Sequence, residues 1–215
     1  MFKLSGLVAL AVALATPALA GPTLTFNLDQ ISSSSIGSGI LGTVILSQVD
    51  PDEVDVKVTF APDLLVNTGG QHTPFAFNTT LSGLTVAFVT PVNGVFSQGT
   101  FSYNSAGGAN TPYGNFSQAI DSTAGNGSSK GFGGTLEFTV SRAAGIDTTD
   151  FGHNVGGDYF SADLSNGRDT GAVASLGATT IGVVGSATVP EPASLMLLGS
   201  ALVGLVSVIR RRRPA

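Results

Sequence analysis

Glu53-Val54-Asp55-Val56-Lys57-Val58-Thr59-Phe60 alternates apolar and polar residues without a break. A β-strand turns successive side chains to opposite faces. Val54, Val56, Val58 and Phe60 are therefore expected to face a core, and Asp55, Lys57 and Thr59 to face water. Asp50-Pro51-Asp52 before it is a turn signal. Ile40 to Val49, upstream again, is apolar on both faces and predicts a central strand. The same alternation returns at Thr135 to Val140, where Leu136, Phe138 and Val140 oppose Thr135, Glu137 and Thr139. Thr23–Leu28, Phe75–Thr79, Leu84–Phe88, Val95–Tyr103, Tyr159–Leu164 and Ala178–Val184 are further strand candidates. Ser32 to Ser38 reads as a flexible loop, and the Gly/Asn/Ser-rich stretch Asn104 to Gly134 as mostly loop. About nine strands, short turns and no amphipathic helix predict an all-β fold, an antiparallel two-layer β-sandwich of jelly-roll-like form.

Composition agrees with a folded body. Hydrophobic residues make up 42% of the 215, far above a disordered chain. The 29 glycines point to many turns, and with no cysteine the stability must come from the core. At the amino end Lys3, the apolar run Leu4–Ala15 and Ala18-Leu19-Ala20 have the layout of a secretory signal, with Ala18 and Ala20 as its cleavage site. Residues 1–20 are thus expected to be a signal peptide with a helical apolar run, and 21–188 the β domain. Residues 21–189 carry 13 acids against Lys57, Lys130, Arg142 and Arg168, a net charge of −9. Such a surface repels nucleic acid and anionic lipid.

The carboxyl end has three parts in order: Val189-Pro190-Glu191-Pro192, an uncharged run Ala193–Ile209, and Arg210, Arg211, Arg212 and Arg213. The prolines fix two φ angles and hold Glu191 extended. A helix over 193–209 would span about 26 Å, close to a bilayer core of roughly 30 Å. The run is apolar all round, which predicts a single transmembrane helix rather than a surface one. The four arginines resist translocation, so the carboxyl end is expected in the cytoplasm and the body outside. This arrangement resembles the PEP-CTERM sorting signal, over residues 189–215. The resemblance implies that a membrane-embedded exosortase, with a cysteine nucleophile of its own, recognises Pro190-Glu191-Pro192 and cuts near it. The body layout, with Asn67-Thr68-Gly69-Gly70, Phe75-Ala76-Phe77-Asn78 and Phe160-Ser161-Ala162-Asp163, loosely resembles bodies that accompany this signal and brings no known activity.

No motif for catalysis survives its structural requirements. Gly37-Ser38-Gly39-Ile40-Leu41-Gly42 spells a dinucleotide fingerprint, but a Ser-rich loop precedes it and a strand follows, so no helix N-terminus meets a pyrophosphate. Gly127-Ser128-Ser129-Lys130-Gly131 spells a nucleophile elbow without its strand–helix setting. His72 and His153 stand in loops without zinc spacing, and read as solvated. Asp150, His153 and Asp158 would meet a cation only if their loop folded back. Asp50, Asp52, Glu53 and Asp55 fail the EF-hand pattern and read as a solvated strand end. Of Tyr103, Tyr113 and Tyr159, Tyr113 in its loop is placed where a sugar platform could sit. Asn78, Asn115 and Asn126 fit the glycosylation letters, which the bacterial-type tail sets aside.

The expected protein is a non-enzymatic, exported surface or matrix component. It needs no cofactor or metal, is held in the inner membrane until an exosortase cuts it, and then rests on the cell surface or outside. The alternative is a carbohydrate- or calcium-binding module for exopolysaccharide.

Overall fold

A computed structural model describes residues 22–67, 72–89, 101–122 and 133–182. All of them belong to one unit, Ala20–Val184. In chain order the strands are β1 (Thr23–Leu28), β2 (Gln30–Ile31), β3 (Gly42–Asp50), β4 (Glu53–Phe60), β5 (Leu65–Val66), β6 (Phe75–Thr79), β7 (Thr85–Phe88) and β8 (Phe101–Asn104). Then follow β9 (Gly108–Asn110), β10 (Gly114–Phe116), β11 (Gln118–Ser122), β12 (Thr135–Ser141), β13 (Phe151–Gly152), β14 (Phe160–Ser165), β15 (Thr170–Ser175) and β16 (Ala178–Gly182). The only helical pieces among the described residues are 3-10 turns such as Ser34–Ile36 and Thr148–Asp150.

Two antiparallel sheets make the body. The first has six strands in the order β16-β1-β3-β4-β12-β7. The second has eight, ordered β2-β15-β14-β6-β11-β8, with β13 on β6 and β5 on β14. A separate hairpin pairs β9 with β10. β3–β4 and β14–β15 are hairpins within a sheet, whereas Asp29 alone carries the chain from β1 in the first sheet to β2 in the second, its N–H donating to the Ala174 carbonyl.

The two cleanest alternations of the sequence pair with each other. Val54, Val56 and Val58 of β4 lie opposite Val140, Phe138 and Leu136 of β12. All six are buried, and a slip of one residue would turn the whole set out to water. Lys57 and Glu137 face each other on the outside, 3.6 Å apart. Across the sandwich, Phe26 of β1 meets Phe160 of β14 with ring centroids 4.8 Å apart, and Phe138 of β12 meets Phe75 and Phe77 of β6 at 6.0 Å each. These aromatic contacts join the two sheets into one core.

The second sheet differs from expectation in one respect: its strands β6, β14 and β15 are buried on both faces. All of Phe75–Thr79 and Phe160–Ser165 is buried, as is all of β15 beyond Thr170. Its outer face carries Ala76, Ala119, Ser161, Ala172 and Ala174, small residues that let other chain approach closely. The β9–β10 hairpin and the segment 151–159 supply that cover. Asn78 ties them down: its Oδ1 accepts from the Ser117 N–H at 2.9 Å and its Nδ2 donates to the Asp158 carbonyl at 3.1 Å. Gly107 and Gly108 are required here, since a Cβ would collide with the Phe116 carbonyl at the first and with the Thr73 hydroxyl at the second.

Several sequence expectations need correction. In the Asn104 to Gly134 stretch, read as mostly loop, β9, β10 and β11 lie within 104–122, while 123–132 lie outside the described residues. Ser32–Ser38 is not a free loop: Ser33 caps the turn Ser34–Ile36, Ile36 is buried, and the Ser35 carbonyl accepts from Asn166 Nδ2 at 2.9 Å. β15 went unread because Thr-Gly-Ala-Val-Ala-Ser carries no large residue to mark a face. The strand expected at Val95–Tyr103 is seen only as β8, and its start lies outside the described residues, as do Val183 and Val184 of the last.

Candidate functional site

The expected signal peptide with its cleavage residues Ala18 and Ala20, the motif residues Pro190, Glu191 and Pro192, the transmembrane run 193–209 and Arg210–Arg213 all lie outside the described residues. Among the described residues no helix is long and apolar enough to cross a membrane.

Within the body, the structure gathers polar side chains that are far apart in sequence. Asp163 projects from the outer face of β14 and is 2% exposed. Its Oδ2 accepts from Asn67 Nδ2 at 2.7 Å. Its Oδ1 is buried without a hydrogen bond and faces His72 Nδ1 at 3.5 Å, an ion-pair distance. Burial pushes the Asp163 carboxyl above its ordinary range, while the Asn67 amide and then His72 pull it back. Beside it, the Pro74 carbonyl accepts from the Asp163 N–H, and the Thr73 N–H donates to Asn110 Oδ1 at 2.8 Å. Asn110 is fully buried. The cluster holds β14, the segment 72–74 and β9 together. It brings an acid and an imidazole together, 3.5 Å apart.

A second cluster forms around the segment 151–159. Asn154 Oδ1 accepts from the N–H groups of Gly156 and Asp158, and its Nδ2 donates to the Tyr113 carbonyl at 2.7 Å. The Asp158 carboxyl is raised by burial. Burial, and then the Asp158 charge, push the Tyr113 phenol up to about 12. The Tyr113 side chain is half-buried. His153 packs edge-on to Tyr159, ring centroids 5.5 Å apart.

The structure does not bring Asp150, His153 and Asp158 together. Asp150 instead closes a capping box with Asp147, its Oδ2 accepting from the Asp147 N–H at 2.8 Å. At the β3–β4 turn, Asp52 N–H donates to Asp50 Oδ1 at 3.0 Å, and the contact between the two carboxyls lowers Asp50 and raises Asp52. Asp55, further along β4, is raised by burial and then by Glu137, against the pull of Lys57. Among the described residues no three His, Asp or Glu side chains are grouped to hold a metal ion. The Asn67–His72–Asp163 cluster was missed because its members are up to 96 residues apart. The signal available was the aspartate at a polar phase of an otherwise apolar strand, Phe160–Ser165.

The polar clusters of the body fasten its outer layers, and the decisive observation lies in the tail. Residues 188–213 match the PEP-CTERM protein-sorting motif. The chain carries a PEP-CTERM sorting motif. The match covers Pro190-Glu191-Pro192, the whole apolar run and all four arginines, the three parts expected from their physical roles. A PEP-CTERM motif marks an exported protein, anchored for a time at its carboxyl end and handled by an exosortase, a membrane enzyme. No curated protein and no solved structure matches the chain.

Proposed function

We propose that this PEP-CTERM protein is a non-enzymatic component of the cell surface or extracellular matrix. It is held in the inner membrane with its body outside the cytoplasm, then cut at Pro190-Glu191-Pro192 and released to its final place. The observation that carries this reading is the match over residues 188–213, with a rigid hinge, an uncharged run and a basic stop in that order. The body supports it as a display unit: a double-sided sandwich, fastened by buried polar groups, with a net charge of −9 that keeps it apart from anionic lipid. Deleting the exosortase-type enzyme in native cells tests the reading. The full-length precursor is expected to accumulate in the inner-membrane fraction. Unchanged delivery of a shortened protein to the surface would contradict it.

A second reading is a carbohydrate- or calcium-binding module associated with exopolysaccharide. Its sugar half is favoured by one observation, a cavity lined in part by Tyr103 and Gln118 and, among the described residues, by no charged side chain. Its calcium half lacks a comparable site among the described residues.

A further inference from the structure

One end of the sandwich carries a cavity of about 380 Å³, where the β6–β7 connection meets β8 and β11. That volume falls in the usual range of small-molecule sites, roughly 300–1,000 Å³. Leu81, Leu84 and Tyr103 supply carbon surface, and Ser82, Ser105 and Gln118 supply polar groups. Among the described residues no lining side chain is charged.

Gln118 gives the cavity its direction. It is 6% exposed, on the inner side of β11 opposite Phe77. The Tyr103 hydroxyl donates to its Oε1, which fixes the amide plane. Its Nε2 has no hydrogen-bond partner among the described residues. Gln118 lines the cavity, so a ligand acceptor there can take the place of water on the two N–H groups of Nε2. The rim is also built. Arg142 Nε donates to the Ser82 carbonyl at 3.0 Å and Nη1 to the Gly145 carbonyl at 3.1 Å, so its charge is spent on backbone. Gly83, with φ of 73°, leaves clear space above the turn.

We propose that this cavity is a binding site for a neutral hexose unit of a glycan. A pyranose presents a C–H face to the carbon of Tyr103 and the leucines, and hydroxyl oxygens that accept from Gln118 Nε2 and exchange hydrogen bonds with Ser82 and Ser105. The lack of lining charge and the body's net −9 both disfavour an acidic sugar. The site rests on the carbohydrate reading above and names its ligand class.

The test uses the full chain in a detergent without a sugar headgroup. Calorimetry and saturation-transfer NMR would follow cellobiose, maltose and lactose, with digalacturonate as the acidic probe. Saturable binding of at least one neutral disaccharide is expected, with digalacturonate unbound. Gln118→Leu should weaken that binding by about tenfold or more, the loss of a buried hydrogen bond. Ser105→Trp, made at an exposed rim position, should abolish it without disturbing the fold. The site fails if no neutral disaccharide binds, if digalacturonate binds as well as they do, or if Ser105→Trp leaves binding intact in a chain that melts as wild type does. Cleavage of the bound disaccharide would contradict the non-enzymatic reading while leaving the site itself standing.

Discussion

The outer face of the first sheet meets solvent, and that of β6, β14 and β15 in the second does not. On β4 and β12 the outward residues are Asp55, Lys57, Thr59, Glu137 and Thr139, all half-buried or exposed. On β6 and β14 the corresponding residues are Ala76, Asn78, Ser161, Asp163 and Ser165, every one buried. The inner faces are alike, both rich in phenylalanine and branched aliphatics. A strand advertises itself by alternation only when one face is wet. Where both faces are dry, the polar residues are short, hydrogen-bonded and easily taken for loop.

The comparison can be broken most severely at the core the sheets share. Phe77→Ala and Phe138→Ala should each lose about 3–5 kcal/mol in urea denaturation, because the two rings touch across the sandwich. A loss confined to one of them would mean that the sheets do not share a core. Next comes the outer face of the second sheet. Asn78→Ala removes partners from Ser117 N–H and the Asp158 carbonyl and should cost about 2–4 kcal/mol. Thr139→Ala, on the outer face of the first sheet, should stay within about 0.5 kcal/mol. Equal effects at these two positions would erase the distinction.

Asp163 sharpens it through pH. Its folded carboxyl is raised above 3.8 by burial, so ionisation works against the folded state. Stability attributable to this group is greatest at acidic pH and falls as pH rises from the unfolded value through the folded one. Asp163→Asn should therefore gain on wild type across that window and hold a constant difference above it, read from urea midpoints between acid and neutral pH. A difference that shrinks with rising pH would show that His72 and Asn67 more than offset burial. The smallest effect belongs to the exposed pair: Lys57→Ala should cost less than about 1 kcal/mol, and less still in high salt.

Legibility followed the same division. Thr23–Leu28, Glu53–Phe60 and Phe75–Thr79 were readable to the residue, and Thr135–Ser141 to within one. β9, β10 and β15 were not, since glycine, alanine and short polar residues there serve close packing of chain on sheet and give no periodic signal. The Asn67–His72–Asp163 cluster is a product of tertiary folding that local pattern does not carry. Gln118 was hidden in the same Gly/Asn-rich stretch, because Gln118-Ala119-Ile120-Asp121 does not alternate apolar and polar residues. The sorting motif was legible in the tail, because its prolines, uncharged run and arginines are written in residue type alone.

The central claim is that the tail is cut at its motif. The most direct measurement is the intact mass of the mature protein from native cells, beside that of a Glu191→Ala variant. The account predicts a wild-type mass ending near Pro192 and an uncut variant. A mass running through Ala215 in both would contradict it and leave the tail a plain anchor.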